Sequence, residues 1–135
     1  MLFRSAVDRE NQALARLSGQ FGIETRHADL ESAPWPFFSE LFDGIVVTNY
    51  LHRPLFANLR SALAPRGILI YETFMAGNER FGRPSNPNFL LTTGELIKEF
   101  SGLQVLAFEQ GVVRNPKPAA VQRICAVNSQ ELTDL

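Results

Sequence analysis

Hydrophobic positions along the chain fall into two patterns, unbroken short runs and helically spaced stripes, and the way they alternate predicts the architecture. Ile45, Val46 and Val47 form one run, and Ile68, Leu69 and Ile70 form another. Runs without polar interruption mark strands buried on both faces, as in parallel sheets. Between them Pro54 opens a helix whose Leu55, Phe56, Leu59 and Leu63 recur at helical spacing, and Pro65, Arg66 and Gly67 turn the chain into the next strand. The unit therefore reads as strand, crossover helix, parallel strand. Each run ends in polar groups: Thr48, Asn49 and Tyr50 after the first, Tyr71, Glu72 and Thr73 after the second. Open α/β sheets place their binding crevice at these carboxyl ends.

The same alternation extends in both directions. A short strand ends near Val7, and Asp8 caps a helix from Arg9 to Ser18 that carries Ala13, Leu14 and Leu17 on one face and stops at Gly19. A strand follows over Ile23 to Ala28, then Asp29 and a partly helical loop over Ser32 to Phe38. After the central unit, Gly77, Asn78, Gly82, Pro84, Asn86 and Pro87 exclude regular structure from Met75 to Thr92, a length that points to function. Thr92 or Thr93 caps a helix over Gly94 to Phe100. Leu103 to Val113 and Ala119 to Val127 form a hairpin turning at Asn115 to Pro118, and the polar tail after Asn128 frays. With no internal repeat or linker, one domain over 1–135 is expected.

Composition adds limits. The chain has 135 residues, 45% hydrophobic and 20% charged, enough for a globular core. A net charge of -1 gives no footprint for nucleic acid or anionic lipid, and no apolar run reaches the length of a membrane span. The single cysteine, Cys125, lies in an apolar setting that reads as core in a reducing cytoplasm. No His, Cys, Asp or Glu spacing suggests a metal.

In order and spacing, AVD at 6–8, HADLES at 27–32, FDGIVVTNYLHR at 42–53 and LAPRGILIYETF at 63–74 resemble the class I S-adenosylmethionine-dependent methyltransferases, in particular small bacterial members of the tellurite-resistance methyltransferase type. The resemblance covers about Ala6 to Val127. It implies an α/β, Rossmann-like methyltransferase sheet, mostly parallel, with an antiparallel pair of strands at its carboxyl-terminal end. The family's first strand and glycine-rich loop have no counterpart here, and Arg4 and Ser5 stand where a buried strand wants apolar side chains. The chain is therefore expected to be truncated before the family's second strand, to expose unpaired strand edges, and to bind the cofactor weakly.

Carried over by position, the resemblance implies that Asp8, with Arg9 beside it, accepts hydrogen bonds from the cofactor ribose, and that Asp29 and Leu30 meet the adenine. The alternatives are simple capping roles for both carboxylates. Thr48, Asn49 and Tyr50 match the position lining the crevice near the methyl donor, where Thr48 and Asn49 would touch the cofactor and Asn49 and Tyr50 the acceptor. His52 suits a general base, imidazole being the side chain most often found in that role, or a helix-terminal residue. Tyr71 and Glu72 would present groups to the acceptor, Glu72 holding a cationic or hydroxyl-bearing one. Arg80 and Arg83, in a loop folding over the rim, would bind an anionic one or else are simply solvated surface residues, and Asn78 in the same loop is a further substrate-binding candidate. The expected activity, in the intact protein, is methyl transfer from S-adenosylmethionine to a small-molecule acceptor, this chain being a truncated, weakly active or inactive fragment of it. A nicotinamide-dependent oxidoreductase also uses a ribose-binding acid, but lacks the antiparallel final pair; a non-catalytic Rossmann-like module is the third reading.

Overall fold

The computed structural model describes residues 4–135, with side chains from Ser5 onward, and divides into two compact units, residues up to Phe38 and Ser39–Leu135. In the first, strands β1 (Arg4–Asp8) and β2 (Ile23–His27) pair in parallel around the short helix α1 (Asn11–Ala15). Arg4 and Ser5 thus belong to the strand, which their polarity had argued against; Ser5 is exposed, so its position demands no apolar side chain. The helix is shorter than the stripe Ala13, Leu14, Leu17 suggests. Leu17 and Ser18 both donate to the Leu14 carbonyl, so the chain tightens into turns after one helical cycle. The loop after Asp29 forms turns and no helix. Its Trp35 and Phe37 meet edge to face, 5.3 Å between centroids, with the Arg26 guanidinium 4.5 Å over the Phe37 ring.

The second unit holds a four-stranded sheet ordered β3 (Phe42–Thr48), β4 (Leu63–Phe74), β6 (Ala119–Val127), β5 (Gln104–Val113). The β3–β4 pair is parallel and the other two pairs are antiparallel. Among the described residues β1 pairs only with β2, and β3 only with β4. The crossover helix α2 spans Leu55–Ala62 with Pro54 as its N-cap. The predicted turn at Pro65 to Gly67 is a kink within β4, because Leu63 already pairs with Phe42 before the register shifts. Arg66 takes a left-handed φ of 66° there, its N–H donating to the Asn128 carbonyl at 2.7 Å. Gly67 is required at this corner: a Cβ would lie 2.8 Å from the carbonyl oxygens of both Ala64 and Phe42.

Alternation along the strands gives the sheet one covered and one open face. Leu69, Tyr71, Ile124 and Ala126 point to the covered face, where α2 contributes Phe56 and Leu59 to the core, and the helix α3 (Glu95–Glu99) and its C-cap contribute Leu96 and Phe100. Phe56, Tyr71 and Phe100 form an aromatic cluster with centroids 5.4 to 6.1 Å apart. Burying one such side chain contributes about 1.5–3 kcal/mol. Val46, Ile68 and Ile70 face the other way and remain exposed, and Cys125, opposite Ile70, is only half-buried. The core position expected for Cys125 falls instead to its strand neighbours Ile124 and Ala126. No helix among the described residues is long and apolar enough to cross a membrane.

Candidate functional site

In the first unit, two carboxylates sit at the carboxyl ends of adjacent parallel strands. Asp8 ends β1 opposite His27 of β2, and Asp29 follows two positions beyond that histidine. Asp8 does not cap α1, whose N-cap is Glu10. Its Oδ1 instead accepts the Glu10 N–H at 3.0 Å, while Oδ2 makes no hydrogen bond among the described residues. Asp29 is more fully engaged. Its Oδ2 accepts the Ser32 hydroxyl at 2.7 Å and its Oδ1 the Glu31 N–H at 3.0 Å. The Ser32 hydroxyl first, and the Glu31 N–H second, hold the Asp29 carboxyl below the usual carboxylate range. Arg9 places its guanidinium 3.7 Å from Glu31, and its carbonyl lies 2.9 Å from the His27 Nε2. Leu30 is half-buried.

In the second unit, the chain leaving β3 turns sharply. Thr48 is the exposed last residue of the strand, and Asn49 adopts φ 53°, a left-handed conformation that asparagine tolerates better than most residues. The Asn49 N–H donates to the Glu72 carbonyl at 2.9 Å, which ties the turn to β4. The Tyr50 carbonyl accepts the Tyr71 hydroxyl at 2.7 Å, and the His52 carbonyl accepts the Leu55 N–H at 3.0 Å, opening α2. Thr48 to His52 is thus a backbone-braced bend at the carboxyl end of the sheet.

Three predicted acceptor-binding residues are placed differently from that expectation. Tyr71 and Glu72 are adjacent in a strand and so face opposite sides of the sheet. Tyr71 is 1% exposed, its hydroxyl is spent on Tyr50, and burial pushes the phenol pKa well above its ordinary value. It shapes the bend from beneath. Glu72 lies on the open face, 3.2 Å from Arg123, which also bonds Glu109 at 2.7 Å across the next strand. Asn78, 1% exposed, accepts the Ala120 N–H at its Oδ1 and donates from Nδ2 to the Pro84 carbonyl. Its amide holds the loop together. Arg80 and Arg83 are exposed on that loop.

The loop itself is ordered rather than irregular. Met75 bridges Leu91, the Leu91 N–H donates to Phe74, and single 3-10 turns form at Asn78–Arg80 and Pro87–Phe89. A residue not singled out from the sequence fastens it. Arg53, just past the bend, holds Glu95 in two bonds of 2.7 and 3.0 Å and donates to the carbonyls of Asn88 and Leu90. Glu95 also accepts the N–H and hydroxyl of Thr92. Burial works against its charge, but the Arg53 and Thr92 bonds outweigh burial and hold its carboxyl below the usual range. Thr92-x-x-Glu95 is the pattern of a capping box and was available as a signal; nothing in the sequence marked its arginine partner. Likewise buried Gln122 accepts the Leu96 N–H at 2.7 Å and donates to Thr92, pinning the start of α3 to the sheet.

No family profile and no curated protein sequence matches the chain. Solved structures do. TehB from Haemophilus influenzae is similar with a TM-score of 0.73 at 15% identity over 91% of this chain, and this chain spans 49% of that one. The N-methyltransferase NodS from Bradyrhizobium japonicum WM9, in complex with S-adenosyl-L-homocysteine, is similar at 0.67 and 19% identity, covering 92% of this chain and 65% of NodS. An S-adenosylmethionine-dependent methyltransferase from Mesorhizobium loti gives 0.67 at 17% identity, with coverage of 93% and 80%. The chain has the class I S-adenosylmethionine-dependent methyltransferase fold. Within each unit the pairings follow the sequence pattern: β1 with β2 and β3 with β4 in parallel, β5 with β6 antiparallel. Among the described residues no three His, Cys, Asp or Glu side chains group as metal ligands.

Proposed function

We propose that the chain serves methyl transfer from S-adenosylmethionine to a small-molecule acceptor. The observation that carries the reading is Asp8, at the carboxyl end of β1, with one carboxylate oxygen satisfied by the Glu10 N–H and the other without a hydrogen bond among the described residues. A polar oxygen so placed suits a vicinal diol such as ribose, whose hydroxyls are donors. Asp29 is braced by Ser32 and stays ionised, so its carboxylate can accept from the exocyclic amine of adenine while the Leu30 N–H faces a ring nitrogen. NodS, which shares the fold, binds S-adenosyl-L-homocysteine in its crystal structure.

The cofactor supplies an electrophilic methyl group on a sulfonium sulfur, so the protein's part is positioning and exclusion of water. In the second unit the Thr48 to Tyr50 bend and the ordered loop over 75–92 are assigned to the acceptor, with Asn49 and Tyr50 orienting it and His52 a candidate for removing its proton. The nicotinamide reading is the competitor, and ligand choice decides between them. In titrations of isotope-labelled protein followed by amide NMR, S-adenosyl-L-homocysteine is expected to shift the signals of Asp8 to Glu10 and Asp29 to Glu31. NAD at the same concentration is expected to shift them less. Larger shifts with NAD, or shifts confined to other residues, would overturn the proposal.

A further inference from the structure

The carboxyl ends of β3 and β4, the end of β5 and the start of β6 lie together at one end of the second unit's sheet, since β3 and β4 run parallel and β6 runs against β4 and β5. Two segments crown this end: the loop over 75–92 and the turn between Val113 and Ala119. They are joined there. The Met75 N–H donates to the Ala120 carbonyl and the Ala120 N–H to the Asn78 side chain, each at 3.0 Å. A Cβ built on Gly77 would lie 3.7 Å from the Arg80 guanidinium and 3.8 Å from the Ala120 methyl, so Arg80 and the start of β6 both lie beside Gly77.

Four cations stand on these two segments: Arg80 and Arg83 on the loop, Arg114 and Lys117 on the turn, all exposed. Among the described residues none of the four pairs with a carboxylate, whereas Arg9, Arg26, Arg53, Arg60, Arg66 and Arg123 each do. Arg80 spends only its Nε, on the Gly77 carbonyl at 3.3 Å, and lies over the Phe81 ring. The segments carry a single acid, Glu79, which accepts the Gly77 N–H. Like charges on two neighbouring segments without counter-charges repel one another, and an anion bound there relieves that repulsion. Glu72, the group suited to a cationic acceptor, is already held by Arg123.

We propose that the acceptor is a small anion, carrying a carboxylate or a phosphate, gripped at this end of the sheet by Arg80, Arg83, Arg114 and Lys117. The inference rests on the methyl-transfer reading for the word acceptor, but the anion site is tested independently of it. Inorganic phosphate is titrated into isotope-labelled protein at constant ionic strength, with amide and arginine side-chain NMR signals as the readout. Saturable shifts are expected at the four cations and not at Arg16 or Lys98, which also lack an ion-pair partner among the described residues but lie elsewhere. The exposed double variant Arg83→Ala/Lys117→Ala should weaken phosphate binding by about fivefold or more, each lost contact being a charge-assisted hydrogen bond. Its response to S-adenosyl-L-homocysteine should match the parent's. Non-saturating shifts, or equal shifts at Arg16 and Lys98, would overturn the site. So would saturation of the same four residues by a single-stranded oligonucleotide at far lower concentration, which would make the partner a nucleic acid. Phosphate binding without any response to S-adenosyl-L-homocysteine would keep the anion site and remove the methyl-transfer reading.

Discussion

Replacing Arg53 by Met tests whether the bend after β3 and the loop over 75–92 are held as one piece. The substitution keeps an unbranched stem but removes both bonds to Glu95 and the donors to Asn88 and Leu90. Glu95 is 8% exposed and would keep only its two bonds from Thr92. Leaving one member of a buried pair uncompensated costs about 3–5 kcal/mol; the Arg53 side chain is 40% exposed, so water can take over part of its role and about 2–3 kcal/mol is expected. Glu95→Gln should cost less, about 1 kcal/mol, because its amide oxygen still accepts from Thr92. The double variant should cost less than the sum of the two, since the second change removes the orphaned charge. Urea unfolding monitored by circular dichroism supplies all three values. The Glu95 carboxyl is held below its ordinary value in the folded state, so its stabilisation is complete above the unfolded pKa of about 4.3 and is lost as pH falls through the lower folded value. The gap between parent and Glu95→Gln should therefore narrow below that pH. Arg53→Met unfolding at the same urea concentration as the parent, or strictly additive costs, would refute the clasp.

Three further outcomes follow from single positions. Asn49→Gly should retain stability, because glycine accepts the φ of 53°, whereas Asn49→Val should lose about 1 kcal/mol or more in the same unfolding assay; the glycine variant then isolates the side chain's part in any activity. Tyr71→Phe leaves the Tyr50 carbonyl without its donor and should cost about 1–2 kcal/mol. Gly67→Ala pushes a methyl against two backbone carbonyls and should cost about 1–3 kcal/mol, read as a lowered thermal midpoint.

The order of elements was legible because apolar runs and helical stripes mark strands and helices: Ile45 to Val47, α2 and the long final strands form where their patterns indicate, although the first run is not buried on both faces, Val46 being exposed, and Leu63 of the helical stripe opens β4 instead. Individual side-chain duties were less so. Tyr71 and Glu72 read as one polar pair at a strand end, yet the pleat sends one into the aromatic cluster and the other to Arg123 on the open face. Asn78 looks like a loop residue available to a ligand, but a loop this long must satisfy its own backbone, and Asn78 does so for Ala120 and Pro84. The Arg53 and Glu95 pair spans 42 positions, a separation at which no local spacing rule operates. Arg114 and Lys117 sit on a hairpin turn where charged residues are ordinary; only the neighbouring loop gives them company.

The central claim, that Asp8 holds the nucleoside of S-adenosylmethionine, is tested most directly by comparing the parent with Asp8→Ala in S-adenosyl-L-homocysteine titrations followed at the amides of Asp29 to Ser32. Those amides lie outside the substituted position and report the ligand rather than the mutation. A hydrogen bond to a charged group contributes about 1.5–3 kcal/mol, so the substitution should weaken the dissociation constant by roughly tenfold or more. The same titration curve in a folded Asp8→Ala protein would contradict the account.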